Sequence, residues 1–161
     1  MLEWIRAEPA PGLSLRVVAS AAGIRAIDFG LGREWDAAAG DANRFLREAV
    51  RQLRAYFAGE LRDFDLPLDL QGTQFQLRVW KELTAIAYGT VRSYAQVAEA
   101  IGAPKAVRAV GAANGANPIP IVVPCHRVIG SSGKLVGYGG GLPLKRRLLD
   151  LEAAHSGHFA G

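Results

Sequence analysis

Hydrophobic positions change their period several times along this chain, and each change marks an element. Leu13, Leu15 and Val17 alternate as a half-buried strand does, Ala21-Ala22-Gly23 supplies a turn, and Ile24 to Phe29 reads as the return strand of a hairpin. From Asp41 to Ala58 the period lengthens: Phe45, Ala49, Leu53 and Phe57 fall at helical spacing, with Asp41 or Asn43 as N-cap and Gly59 as terminator. Arg44, Arg47, Arg51 and Arg54 are left for a solvated face. Glu60 to Leu70 reads as a connector holding Pro67, and a domain boundary falls near residues 66–72. Thr73 and Gln76 then make a capping box ahead of a helix with Phe75, Val79, Leu83 and Ile86 on one face, Trp80 in the same core, and Tyr88-Gly89-Thr90 at its end.

A second capping box, Ser93 and Gln96, opens a short helix through Ala100. Gly102 turns the chain, Pro104 occupies a first helical position, and Lys105 to Ala113 forms another helix. Ala106, Val107 and Val110 are predicted to face inward, leaving Lys105, Arg108, Ala109, Ala112 and Ala113 outside. Two short helices about a glycine turn fit a helix-turn-helix and fit an ordinary helical hairpin equally well. The polar loop Asn114 to Pro120 leads into an apolar strand that stops at Pro124. Beyond Arg127-Val128-Ile129, a glycine-rich stretch wraps one tyrosine, Tyr138, and lacks the spacing and Lys-Ser or Lys-Thr of a phosphate loop. Leu142 to Glu152 reads as a last helix on Leu144, Leu148 and Leu151, with Lys145, Arg146 and Arg147 exposed.

Composition narrows the class. A chain of 161 residues, 50% hydrophobic, can bury a proper core, and no run nears the roughly 18–20 apolar residues of a membrane span. The opening Met1-Leu2-Glu3-Trp4 lacks a signal-peptide pattern, so the cytoplasm is the expected location. A single cysteine excludes an internal disulfide and a zinc site built on several thiolates. His155 and His158 read as a frayed tail, since only His126 could complete a three-imidazole site, and no metal is expected.

Charge is divided unevenly. Residues 1–71 carry nine Arg against eleven Asp and Glu, a net of −2, whereas residues 72–161 carry six Arg and four Lys against four acids, a net of +6. A polyanion is the natural partner of such a half, although many basic faces are merely solvated.

The one cysteine lies in that half, in Ile121-Val122-Val123-Pro124-Cys125-His126-Arg127-Val128-Ile129. A lone cysteine in an apolar run is commonly a small core residue. An imidazole and a guanidinium directly after it admit a second reading, a thiol whose ionisation is controlled and which attacks as thiolate.

Pro124-Cys125-His126-Arg127-Val128, preceded by Asn117-Pro118-Ile119-Pro120 and Arg108-Ala109-Val110-Gly111, resembles the O6-alkylguanine-DNA alkyltransferases, direct-reversal DNA repair proteins. The match runs in order from about Gly72 to Glu152; the first half matches in general plan only. The resemblance implies an α+β chain. Residues 1–70 would form a small N-terminal α/β domain with a short antiparallel sheet, ribonuclease H-like in the family. Residues 71–161 would form a mainly helical, winged-helix-like domain carrying the helix-turn-helix, the DNA contact and the alkyl acceptor.

It further implies that Cys125 takes the alkyl group from O6 of a flipped guanine, that His126 acts through a water as base, and that Glu152 orients His126. Asn117 would hold the active-site turn, and Tyr94 would meet the nucleotide, protonate guanine N3 and crowd the 3′ phosphate. Arg108 would fill the vacated stack, while Lys105, Ala109, Ala112, Thr90 and Ser93 would lie along the DNA. Pro120 and Tyr138 would wall the alkyl pocket; the Cys125 and Val128 carbonyls would accept from the guanine amino group, the Gly139 amide would donate to O6, and Asn114 would lie near the pocket. Ala87 stands where the family commonly has proline, which leaves the exit of that helix less rigid, and Asn114 and Gly139 leave the preferred alkyl size open.

The implied partner is double-stranded DNA carrying O6-alkylguanine, met by a cofactor-free protein, monomeric in solution, used once per molecule and independent of membranes. Cooperative assembly on DNA and O4-alkylthymine as a second substrate stay open. Two other classes compete: an alkyltransferase-like module that recognises lesions without reacting, a kind that usually lacks the cysteine, and a cysteine hydrolase. Adjacent Cys125 and His126 in an extended segment would point apart, which disfavours direct proton transfer and hence the hydrolase.

Overall fold

Strand β2 (Leu13–Ala19) shows what the alternating pattern does in three dimensions: Leu13, Leu15 and Val17 are buried and Ser14 is exposed. The computed structural model describes residues 2–30, 37–40 and 43–156, with backbone alone at 37–39, and divides into Met1–Gln71 and Gly72–Gly161. Asp41 and His158 lie outside the described residues.

In the first unit, β2 pairs antiparallel with β3 (Ile24–Phe29) and with β1 (Leu2–Ala10), and β4 (Ala37–Ala39) pairs parallel with β1, giving the order β3-β2-β1-β4. The sheet is therefore mixed at one edge. Strand β1 escapes the periodicity reading because Leu2 to Ile5 are uniformly half-buried and the register shifts between Ala7 and Ala10, which hides the alternation. Helix α1 (Arg44–Phe57) is capped by Asn43, whose side chain accepts from the Phe45 amide. Its inward face is turned from the expected one: Leu46, Ala49, Val50, Leu53 and Tyr56 are buried, whereas Phe45 and Phe57 are half-buried. Gln52 on the same face exchanges two hydrogen bonds of 2.9 Å with the Asp65 backbone and so ties down the connector.

The second unit begins at the capping box of Thr73 and Gln76 and continues as α2 (Gln74–Leu83). That helix stops at Leu83, earlier than the Tyr88-Gly89-Thr90 predicted; the Ala85 and Ile86 amides close tight turns on Glu82 and Leu83, and Ile86 is buried from outside the helix. Arg92–Ser93 forms a two-residue strand β5, and Ser93 caps α3 (Tyr94–Ala100) through its box with Gln96. Gly102 turns the chain at φ 76°. Helix α4 (Val107–Gly115) starts later than predicted, because Pro104 sits in a preceding turn closed by Ala106 N–H on Ala103 O at 2.8 Å. Two further expectations reverse. Val107 is exposed rather than inward, and Ala113 is buried rather than outward, where its carbonyl accepts from Trp80 Nε1 at 2.9 Å.

Residues 121–124 are not the predicted strand. Two prolines and the side chain of Asn117 fold the chain into successive turns, with Ile121 at φ 74° and Val123 N–H on Ile119 O at 2.9 Å. Cys125–Arg127 is then one turn of 3-10 helix, followed by β6 (Val128–Ile129), which pairs parallel with β5. Helix α5 (Leu142–Ser156) buries Leu144 and Leu148 as expected, but Lys145 is wholly buried with them and only Arg146 and Arg147 are exposed. No helix among the described residues is long and apolar enough to cross a membrane.

Candidate active site

Cys125 is where the turns after Asn117 deliver a thiol to the start of the 3-10 turn. Asn117 makes that possible from both ends of its amide: Nδ2 donates to Val123 O at 2.8 Å and Oδ1 accepts from Ile119 N–H at 3.0 Å. A short polar side chain thus replaces the backbone pairing that two prolines remove. Among the described residues the non-glycine residue at positive φ is Ile121, which lies inside the loop so fixed and is buried, an arrangement that stores strain four residues before Cys125.

Cys125 is 5% exposed, and burial pushes its thiol up to about 11 from 9.0; Asn117, the charge of Lys145 and the Cys125 and His126 amides pull less strongly the other way. At neutral pH only about one molecule in 10⁴ is thiolate, so the resting group is protonated.

Directly behind it lies a buried polar cluster. His126 Nε2 stands 2.7 Å from Glu152 Oε2, and Arg127 grips the same carboxylate from Nε at 2.8 Å and Nη2 at 3.0 Å, while its Nη1 donates to Ile86 O at 2.6 Å. The Gly89 amide adds a longer bond to Glu152 Oε1, 3.4 Å. Burial by itself would raise the Glu152 pKa, but the bonds from His126 and Arg127 outweigh it and hold it at about 2. For His126, burial is the largest cause and drives the pKa below 6.5 against the pull of Glu152. An ionised Glu152 and a neutral His126 fix the tautomer: Nε2–H donates to the carboxylate and Nδ1 keeps a lone pair. Nδ1 is buried and has no hydrogen-bond partner among the described residues.

Beside the Cys125 turn lies a cavity of about 540 Å³ lined by Tyr94, Val107, Asn114, Val136, Tyr138 and Gly139, among others, with Cys125 itself outside the lining. That lies within the roughly 300–1,000 Å³ of small-molecule sites. Burial, and after it the charge Cys125 carries when ionised, raises the phenol pKa of Tyr94 and of Tyr138. Asn114 Nδ2 reaches Cys125 O at 3.4 Å.

Of the residues singled out from sequence, Cys125, His126, Glu152, Asn117, Asn114, Tyr94, Tyr138 and Gly139 come together here. Pro120 and Val128 are buried and, like Cys125, His126 and Asn117, do not line the cavity. The Val128 carbonyl already accepts from Lys145 Nζ at 2.7 Å. Lys105, Arg108, Ala109, Ala112 and Thr90 are exposed, and Ser93 is half-buried in its capping box. Cys125 and His126 lie on a turn of 3-10 helix, which replaces the extended geometry assumed for them.

Two members of the site went unread in sequence. Arg127 was noted only as a neighbouring cation, and Lys145 was assigned to solvent. Lys145, Leu148 and Glu152 fall at i, i+3 and i+7 on one helix face, the signal that places two charges inside.

Comparison with known proteins gives a consistent picture. The model of the 6-O-methylguanine DNA methyltransferase DNA binding domain matches residues 74–154, and that of the ribonuclease-like domain of the same proteins matches 14–70. A methylated-DNA–protein-cysteine methyltransferase of Mycolicibacterium paratuberculosis is 68% identical over 108 residues, covering 67% of this chain and 66% of that protein. One of the same name from Methanosarcina acetivorans is 59% identical over 110 residues, covering 68% and 70%. The aligned stretch thus spans about two thirds of the length of these curated relatives. A crystal structure of Mycobacterium tuberculosis OGT in complex with DNA superposes with a TM-score of 0.89 at 47% identity, over 95% of this chain and 94% of that one.

Proposed function

Because this chain belongs to the 6-O-methylguanine DNA methyltransferase family, we propose that it is a single-use DNA repair protein that moves an alkyl group from O6 of guanine onto Cys125. The observation that carries this reading is a protonated, buried thiol on a residue that is followed directly by the His126–Glu152–Arg127 cluster and whose carbonyl meets Asn114, a lining residue of a base-sized cavity. The exposed face of α4, with Arg108 and the small Ala109 and Ala112, supports a close approach to a DNA groove, with Lys105, Thr90 and Ser93 toward the phosphates. Extruding the target nucleotide costs a few kcal/mol, and Arg108 entering the stack offsets part of it.

In this reading the thiol proton leaves by way of a water to the free lone pair of His126 Nδ1, and the imidazolium so formed is stabilised by Glu152. Sulfur attacks the alkyl carbon, the carbon–O6 bond breaks, and its electron pair stays with the guanine. Tyr94 donates a proton to guanine N3 and recovers one from the relay, so that one proton passes in all from sulfur to base. The product is a thioether, which has no leaving tendency, and no second cysteine is present to release it.

The partner is double-stranded DNA bearing O6-alkylguanine, engaged by residues 71–161, with residues 1–70 as structural support. The protein acts as a monomer in the cytoplasm and calls on no cofactor. Mixing it with a duplex containing O6-methylguanine under reducing conditions should place one methyl group on the peptide bearing Cys125, seen by mass spectrometry, and none on a Cys125→Ala variant. An unmodified Cys125 beside intact lesion would refute the reading.

A further inference from the structure

Among the described residues of the second unit, Lys145 is the largest charged side chain wholly buried, and no carboxylate stands among the partners its ammonium has there. Its Nζ donates instead to three carbonyls: Val128 O at 2.7 Å, Val136 O at 3.0 Å and Gly137 O at 3.5 Å. A desolvated ammonium is costly unless its protons are matched by acceptors, and here three donors meet three oxygens. These acceptors come from two places that are otherwise joined by a Gly130 N–H bond to Lys134 O at 2.9 Å, short of Val136 and Gly137. Val128 belongs to β6 directly after the Cys125–Arg127 turn, whereas Val136 and Gly137 belong to the glycine-rich wall of the cavity. That wall has no regular secondary structure between Ile129 and Leu142. Lys145 itself is carried by α5, the helix that also carries Glu152, and its charge is felt by Cys125.

We propose that Lys145 is a positioning residue for alkyl transfer: from α5 it ties the glycine-rich wall at Val136 and Gly137 to the strand that follows Cys125, and so sets the distance from Tyr138 and Gly139 to the thiol. The Val136 carbonyl has a second donor, the Tyr94 hydroxyl at 3.3 Å, on the far side of the cavity. Tyr94 must release that oxygen to reach a bound base, so Lys145 is the grip that remains when the cavity fills. This assignment rests on the functional reading above for its consequence and on the hydrogen bonds for its mechanism.

The test compares full-length wild type with Lys145→Met and the milder Lys145→Gln. Amide hydrogen exchange in K145M should speed up about tenfold or more in residues 130–141 while α2 and α4 keep their protection, with K145Q intermediate. In saturation kinetics with free O6-benzylguanine, the half-saturating concentration should rise about tenfold, with the limiting rate of Cys125 alkylation changing less than about threefold. Should K145M fail to fold, K145Q carries both measurements. Exchange that rises evenly through the second unit, or not at all, overturns the anchor. A fall in limiting rate with unchanged half-saturation also overturns it, since the ammonium would then act on the sulfur and not on the wall. If wild type takes no benzyl group, the saturation measurement is made with duplex carrying O6-methylguanine; if it takes no methyl group from that either, the functional reading fails, and loosening confined to residues 130–141 still upholds the anchor.

Discussion

At Cys125 a buried thiol is held in its protonated form, with a consequence for stability. The thiol titrates at about 11 in the folded chain against 9.0 in its unperturbed state, so the unfolded protein loses the proton first as pH rises. Stability from this group is full below about pH 9 and is lost as pH climbs toward 11, by about 3 kcal/mol for a two-unit shift. Urea midpoints measured from pH 8 to 11 should fall more steeply in wild type than in Cys125→Ala. His126 has the opposite sign: its pKa is lowered by burial, so its contribution is present above pH 6.5 and declines as the unfolded chain takes up a proton below that. Arg127 allows His126 to stay neutral, because its fork compensates the charge of Glu152 and leaves the imidazole free to accept a proton later. Replacing Arg127 by Met strands a buried carboxylate and should cost about 3–5 kcal/mol in chemical denaturation, far more than loss of an exposed ion pair.

Among the elements, the proposed function divides its labour between α4, which would present a base, and the Asn117 turn, which would receive it. Arg108 is exposed on α4 and outside the cavity lining, so Arg108→Ala should slow repair of duplex DNA by at least about tenfold while leaving reaction with free O6-benzylguanine within about twofold. Equal losses on both substrates would make Arg108 structural. Asn117→Ala removes both bonds of the turn and should depress both reactions together, since Cys125 then loses its setting. The capping boxes at Thr73 and Ser93 were legible because side-chain chemistry and spacing coincide there, and the pairs Thr73–Gln76 and Ser93–Gln96 form as read. The segment before Cys125 was misread because Ile121-Val122-Val123 has strand composition, while its conformation is set by Asn117 and two prolines upstream. Lys145 was misread for a related reason: a lysine is counted as solvent-facing until its acceptors are known, and these are backbone carbonyls that no pattern of side chains reports.

For the molecule as a whole, the net charge of +6 on residues 72–161, against −2 on residues 1–71, supports the proposal that one unit makes the DNA contact. Affinity for duplex DNA should therefore drop at least about tenfold between roughly 50 and 200 mM salt and depend little on sequence, as a filter-binding titration can check. The family, the α+β class and the helix-turn-helix unit follow from motifs within that second half, whereas the mixed edge of the first sheet required coordinates. The central claim is that Cys125 is consumed and not regenerated. The most direct measurement titrates a fixed amount of protein with excess duplex carrying O6-methylguanine and counts lesions removed per molecule at completion. The account predicts a plateau at one, with Cys125 fully methylated in the same sample; repair that continues past one equivalent, or lesions lost with Cys125 unmodified, would contradict it.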